Sequence, residues 1–101
     1  MTSDVAGTKW YLYIVSCSDN TLYTGITTDL DRRVAQHNQG KGAAYTASRR
    51  PVRLLVAWSL ANRSKATQAE HKMKNRSRAA KLRAVANPET FAHGKPVQID
   101  S

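Results

Sequence analysis

The sequence predicts an α+β domain: a small three-stranded antiparallel sheet flanked by helices, in the order ββαβαα. Three observations predict it. Residues 9–17 are dense in aromatic and β-branched side chains, and after a turn a second such run follows at 22–27. A third apolar run, 52–58, lies between two segments with helical patterning. Thr28, Ser64 and Ser77 each stand as a hydroxyl cap before a helical segment.

In chain order, Ser18-Asp19-Asn20 forms the hairpin turn, and Asn20 tolerates the left-handed conformation that a short loop needs. Because side chains alternate along a strand, the length of this turn decides the faces. A three-residue turn pairs Cys17 with Thr21, Val15 with Tyr23 and Tyr13 with Gly25. Tyr13 and Tyr23 then share a face, and Gly25 leaves space for a ligand opposite Tyr13. A two-residue turn would part the tyrosines. The first helix spans 29–39, with Asp29 and Asp31 in its first turn, Leu30 and Val34 as its apolar stripe and Gly40 as its stop. A loop, 40–51, carries Lys41, Tyr45, Arg49 and Arg50 to the third strand. The second helix, 65–74, sets Ala66, Ala69 and Met73 at core spacing, and a third runs from Ser77 to Ala86, closed by Asn87-Pro88. The expected division is a flexible N-terminus, 1–8, one domain, 9–87, and a C-terminal tail, 88–101.

At 101 residues the chain suits a single core, and 41% apolar with 23% charged residues suits a packed globule. The net charge is +9 and unevenly placed. Residues 1–31 hold one base and four acids, whereas 32–86 hold fourteen bases and one acid, Glu70. Such a basic body favours a polyanionic partner, nucleic acid first, over the plainer reading of a solubilising surface. The longest apolar stretch, near residues 54–61, is far below the ~20 residues of a membrane span, so no membrane partner is expected. The first residues lack a basic start and an apolar run, so a signal peptide is not expected and the cytoplasm is the expected compartment. Cys17 is the only cysteine, which leaves no internal disulfide and reads as a buried thiol.

The chemistry concentrates in a few positions. Tyr11-Leu12-Tyr13 and Tyr23-Thr24-Gly25 lie on the hairpin; Arg33 follows Tyr23 by ten residues, and His37 shares its helix face four residues on. Glu70 lies on a later helix. From Trp10 to Ala86 this arrangement resembles the GIY-YIG nuclease family, most closely its small stand-alone bacterial proteins of the YhbQ type. The specific part is the run 22–33 followed by His37-Asn38. Tyr11-Leu12-Tyr13 stands where the family has Gly-Ile-Tyr, and Tyr23-Thr24-Gly25 where it has Tyr-Ile-Gly, so the first glycine is missing. The asparagine near the end of the family core has Asn87 as its candidate and Asn75 as the alternative.

The resemblance implies a single divalent ion, Mg2+ or Mn2+, with Glu70 as its metal ligand. It also implies a general-base tyrosine, Tyr13 or Tyr23, with Arg33 on the phosphate and His37 in the catalytic set. Those residue types fit phosphodiester hydrolysis, which needs a deprotonated water and neutralised phosphoryl and leaving oxygens. Magnesium accepts one carboxylate with several waters, and arginine offers a planar, permanently charged donor. Arg32, Lys41, Arg49, Arg50, Lys72 and Lys74, with Arg53, Arg76 and Arg78, are candidate backbone contacts. Each has a plainer reading: the tyrosines as sheet aromatics, the arginines as solvated charges, His37 as a structural helix-edge residue, Glu70 as an i, i+4 partner of Lys74. His71 and His93 offer no metal-ligand spacing. The expected function is a divalent-metal-dependent endonuclease on DNA, with branched, damaged or single-stranded repair substrates included and RNA as an alternative. The competing expectation is a catalytically silent basic nucleic-acid-binding module of the same fold.

Overall fold

The computed structural model describes residues 8–99, so the first seven residues of the expected N-terminal segment lie outside the described residues. Strands β1 (Trp10–Ser16) and β2 (Leu22–Thr27) form the hairpin, with Asn20 at φ 67° in its turn. Helix α1 (Leu30–Asn38) follows, then a one-turn helix α2 (Ala44–Ala47) and strand β3 (Arg53–Leu60). Helices α3 (Arg63–Lys74) and α4 (Arg78–Ala86), a 3-10 turn (Pro88–Thr90) and strand β4 (Lys95–Pro96) complete the chain.

The α+β architecture is the expected one, with one correction: the antiparallel sheet has four strands, in the order β2-β1-β3-β4, rather than three. The fourth is two residues long and both are exposed, so neither apolar alternation nor β-propensity marks it in the sequence. The hairpin register is that of a three-residue turn: Val15 faces Tyr23, Tyr13 faces Gly25, and the Cys17 N–H donates to the Thr21 carbonyl at 2.9 Å.

Alternation along β1 splits the interior in two. Leu12 and Ile14 join Val56, Trp58, Leu60, Ala66, Ala69, Met73, Ala84 and Phe91 under α3 and α4. On the other face Tyr13, Val15 and Cys17 pack with Val52 and Ala57, and Tyr23, Leu30 and Val34 border them. A β-bulge between the pairs Ile14–Val56 and Val15–Leu54 keeps both faces apolar past Leu55. Residues after Asn87, expected as a tail, close the first core. The Phe91 ring is buried, and the Trp58 indole N–H donates to the Pro88 carbonyl at 2.9 Å.

The caps sit close to the expected positions, and two of three move by a residue or two. Asp29, not Thr28, caps α1 by accepting from the Arg32 N–H at 3.0 Å. Asn62, not Ser64, caps α3 through the Lys65 N–H, while Ser77 caps α4 as expected. The expected loop 40–51 contains α2, a helix too short to show a period.

Candidate active site

The hairpin and α1 assemble the site. Tyr13 lies on the central strand β1, facing α1, and Tyr23 lies diagonally from it on the edge strand β2. Gly25 sits opposite Tyr13, and a Cβ added there would stand 2.5 Å from the Tyr13 hydroxyl. The space above the glycine is therefore filled by the tyrosine's own ring, not kept for a ligand. From α1, Arg33 and His37 reach the same phenol: the Arg33 Nε–H donates to Tyr13 Oη at 3.3 Å, and Tyr13 Oη lies 2.8 Å from His37 Nε2.

The arginine is held on three sides. Besides Nε, one Nη donates to Gln36 Oε1 at 3.2 Å and the other to the Gly42 carbonyl at 3.2 Å. A guanidinium has five N–H donors, so these contacts commit three and leave two uncommitted. The imidazole is held as firmly. Its Nδ1 lies 2.7 Å from Thr46 Oγ1, whose hydroxyl donates to the Ala43 carbonyl at 3.1 Å. A Cβ at Gly42 would come within 2.3 Å of that Nδ1, so only glycine lets the chain pass over the ring.

Burial separates the two tyrosines. Tyr13 is 1% exposed and His37 0%, so both lie behind the surface, whereas Tyr23 is half-buried and reaches solvent. Tyr23 meets the His37 ring edge-on, at 5.3 Å between centroids, and stacks on Tyr45 at 6.0 Å. Removal from water pushes the Tyr13 phenol above its ordinary value of 10.0; Arg33 opposes the rise, and Tyr23 and Glu70 add to it. Burial, and then the Arg33 charge, hold His37 below the ordinary 6.5, which keeps the imidazole neutral.

Glu70 lies on α3, which packs against β1 and β2 and sends Ala66, Ala69 and Met73 into the first core. Its charge reaches the Tyr13 phenol. Its carboxylate pairs with Lys74 Nζ at 3.2 Å and remains 21% exposed. Among the described residues no three His, Cys, Asp or Glu side chains gather to hold a metal. One hard oxygen donor does not fit a closed protein cage. It does fit a magnesium-type ion that keeps water and shares the substrate phosphate.

The remaining sequence candidates fall outside the cluster. Tyr11 lies two residues along the same face and lines a hollow with Thr28, Asp29, Leu30, Asp31 and Val97. Asn87 and Asn75 are exposed residues at the C-terminal ends of α4 and α3. Arg32 and Lys41 are exposed near the cluster, and Lys72 lines a hollow with Lys9, Lys65 and Lys95. Arg49 is built into the structure, paired with Asp19 at 3.1 Å and seated 4.0 Å over the Tyr45 ring. Arg50 donates to the Ala47 carbonyl at 2.9 Å. Sequence reasoning missed Thr46 and Gly42, which lie in a segment without periodicity. It also missed the work of Asn38, whose amide brackets Val52 by accepting from its N–H at 2.7 Å and donating to its carbonyl at 3.2 Å.

This hairpin, helix and tyrosine–arginine cluster define a class that comparison identifies. Residues 9–83 match the GIY-YIG catalytic domain, and the chain belongs to the GIY-YIG family, a nuclease family. It is similar to a UPF0213 protein of Natronomonas pharaonis, 51% identical over 77 residues that make up 76% of this chain and 91% of that one. A UPF0213 protein of Staphylococcus haemolyticus is 48% identical over 77 residues, 76% of this chain and 94% of its own. The solution NMR structure of a UPF0213 protein from Bacillus halodurans, 40% identical, superposes with a TM-score of 0.51 over 82% of this chain and 92% of that one. Among the described residues no helix is long and apolar enough to cross a membrane.

Proposed function

We propose that this chain is a divalent-metal-dependent endonuclease that hydrolyses phosphodiester bonds in DNA. The observation that supports it most is the Arg33 guanidinium, fixed against Tyr13 with two N–H donors uncommitted, while the half-buried Tyr23 meets the ring of His37, the other partner of that phenol. Arg33 binds a phosphoryl oxygen and orients the phosphate. Tyr23, after releasing its own hydroxyl proton to solvent, accepts the proton of the attacking water; it is half-buried whereas Tyr13 is 1% exposed. The water oxygen bonds to phosphorus as the leaving oxygen departs and takes a proton from solvent. Glu70 would hold a Mg2+ or Mn2+ ion, whose charge when bound neutralises the phosphoryl and leaving oxygens. Tyr13 and His37, both buried, act as positioning residues.

A second reading, a silent nucleic-acid-binding module, is favoured by the Glu70–Lys74 pair, which ties the candidate metal ligand to a lysine. Cleavage of linear, flapped, forked and RNA substrates separates the two. The nuclease reading expects cutting with Mg2+ that stops with a chelator and is lost in Glu70→Ala. Equal residual cutting by wild type, Glu70→Ala and Arg33→Ala marks a contaminant and supports the silent module.

A further inference from the structure

The buried contacts behind Arg33 form a single file: Arg33 Nε, Tyr13 Oη, His37 Nε2, His37 Nδ1, Thr46 Oγ1 and the Ala43 carbonyl. Their direction follows from the two ends. A guanidinium has no acceptor, so Arg33 can only donate to Tyr13. The Tyr13 hydroxyl is buried, and the partner in range for its own proton is His37 Nε2, which must then be unprotonated. A neutral imidazole with bare Nε2 carries its proton on Nδ1, and that N–H points at Thr46 Oγ1. The Thr46 hydroxyl passes its proton to a carbonyl, which can only accept. Both ends therefore impose the same polarity.

We propose that Thr46 is a positioning residue for Arg33: as the acceptor for His37 Nδ1–H it fixes the imidazole tautomer, and so turns the Tyr13 lone pair toward the guanidinium. If the tautomer flipped, His37 Nε2–H would donate to Tyr13. The phenol proton would then turn toward Arg33 Nε–H, setting two donors against each other in a buried site. The residues suit this purpose. Thr46 is 0% exposed, and Gly42 both clears room for the imidazole and accepts from the Arg33 Nη. The short helix α2, whose first turn supplies Thr46, thus acts on the phosphate-binding group from two residues away. Its catalytic relevance rests on the nuclease reading; its hydrogen-bond polarity does not.

The test uses the intact protein and two readouts that do not depend on cleavage. Imidazole 15N shifts near neutral pH should show His37 protonated on Nδ1 in wild type and in Thr46→Ser, and a mixed or Nε2-protonated ring in Thr46→Val. Hydrogen exchange of the Arg33 Nε–H should quicken by about tenfold or more in Thr46→Val and stay slow in Thr46→Ser. Cleavage should fall in Thr46→Val and recover in Thr46→Ser, with oligonucleotide binding retained. A wild-type His37 protonated on Nε2 would overturn the proposal, even if Thr46→Val failed to fold. So would slow Arg33 exchange in a folded Thr46→Val. If wild type holds the Nδ1–H tautomer but cuts nothing, the nuclease reading fails and the hydrogen-bond assignment stands.

Discussion

At the scale of single residues, the site is a contrast in burial. Tyr13 and Tyr23 lie diagonally on one face of the hairpin, yet only Tyr23 reaches solvent, and the sealed phenol is tied to a neutral histidine. That pair makes stability depend on pH at both ends. His37 is held below its ordinary value, so from about 6.5 downward the unfolded chain takes up a proton that the folded chain refuses. Tyr13 is held above its ordinary value, so above about pH 10 the unfolded chain loses a proton that the folded chain keeps. Melting temperature should therefore peak near neutrality, fall between about pH 6.5 and 5, and fall again above about pH 10. A flat profile down to pH 5 would contradict the neutral, buried His37. Strand parity made Tyr13 and Tyr23 legible as one pair and i, i+4 spacing made Arg33 and His37 legible as another, because both are local rules; that the two pairs meet followed only from the family resemblance. Their division of labour was not legible, because exposure depends on what the loop before β3 lays over them.

At the scale of elements, short-range chemistry marked turns and helix boundaries to within a residue or two. The turn, the glycine stop of α1 and the Ser77 cap lie where residue type demands, with Gly40 at φ 80°. Asn62 takes the cap from Ser64 because both residue types can accept at a helix start, and β3 runs on to Leu60 before the turn. Helix α2 and strand β4 left no period at all, since four residues and two residues are shorter than any pattern. What secures the C-terminal segment is tertiary: Phe91 packs at 5.1 Å from Trp58, under the guanidinium of Arg76. Phe91→Ala should lower unfolding free energy by about 3–5 kcal/mol, the range for emptying a buried aromatic site. Denaturant titration of wild type and variant measures it, and a loss below about 1 kcal/mol would show that the segment is not part of the core.

At the scale of the whole molecule, fourteen bases between residues 32 and 86 surround one acid. The structure sorts that charge. Arg49 and Arg50 are spent partly on Asp19, Tyr45 and loop carbonyls, while Arg32 and Lys41 stay exposed beside α1. Binding to an oligonucleotide should weaken linearly on a log–log salt plot, and Arg32→Ala or Lys41→Ala should each lower the slope by about 1. An unchanged slope in both would place the phosphate track elsewhere. In the proposed reaction Tyr23 takes the proton of the attacking water. Single-turnover cleavage of an end-labelled oligonucleotide in Mg2+, comparing wild type with Tyr23→Phe at saturating protein, decides whether it does. A loss on the order of 10²–10⁴-fold with affinity unchanged is the predicted result; a Tyr23→Phe variant that cuts at the wild-type rate would contradict it.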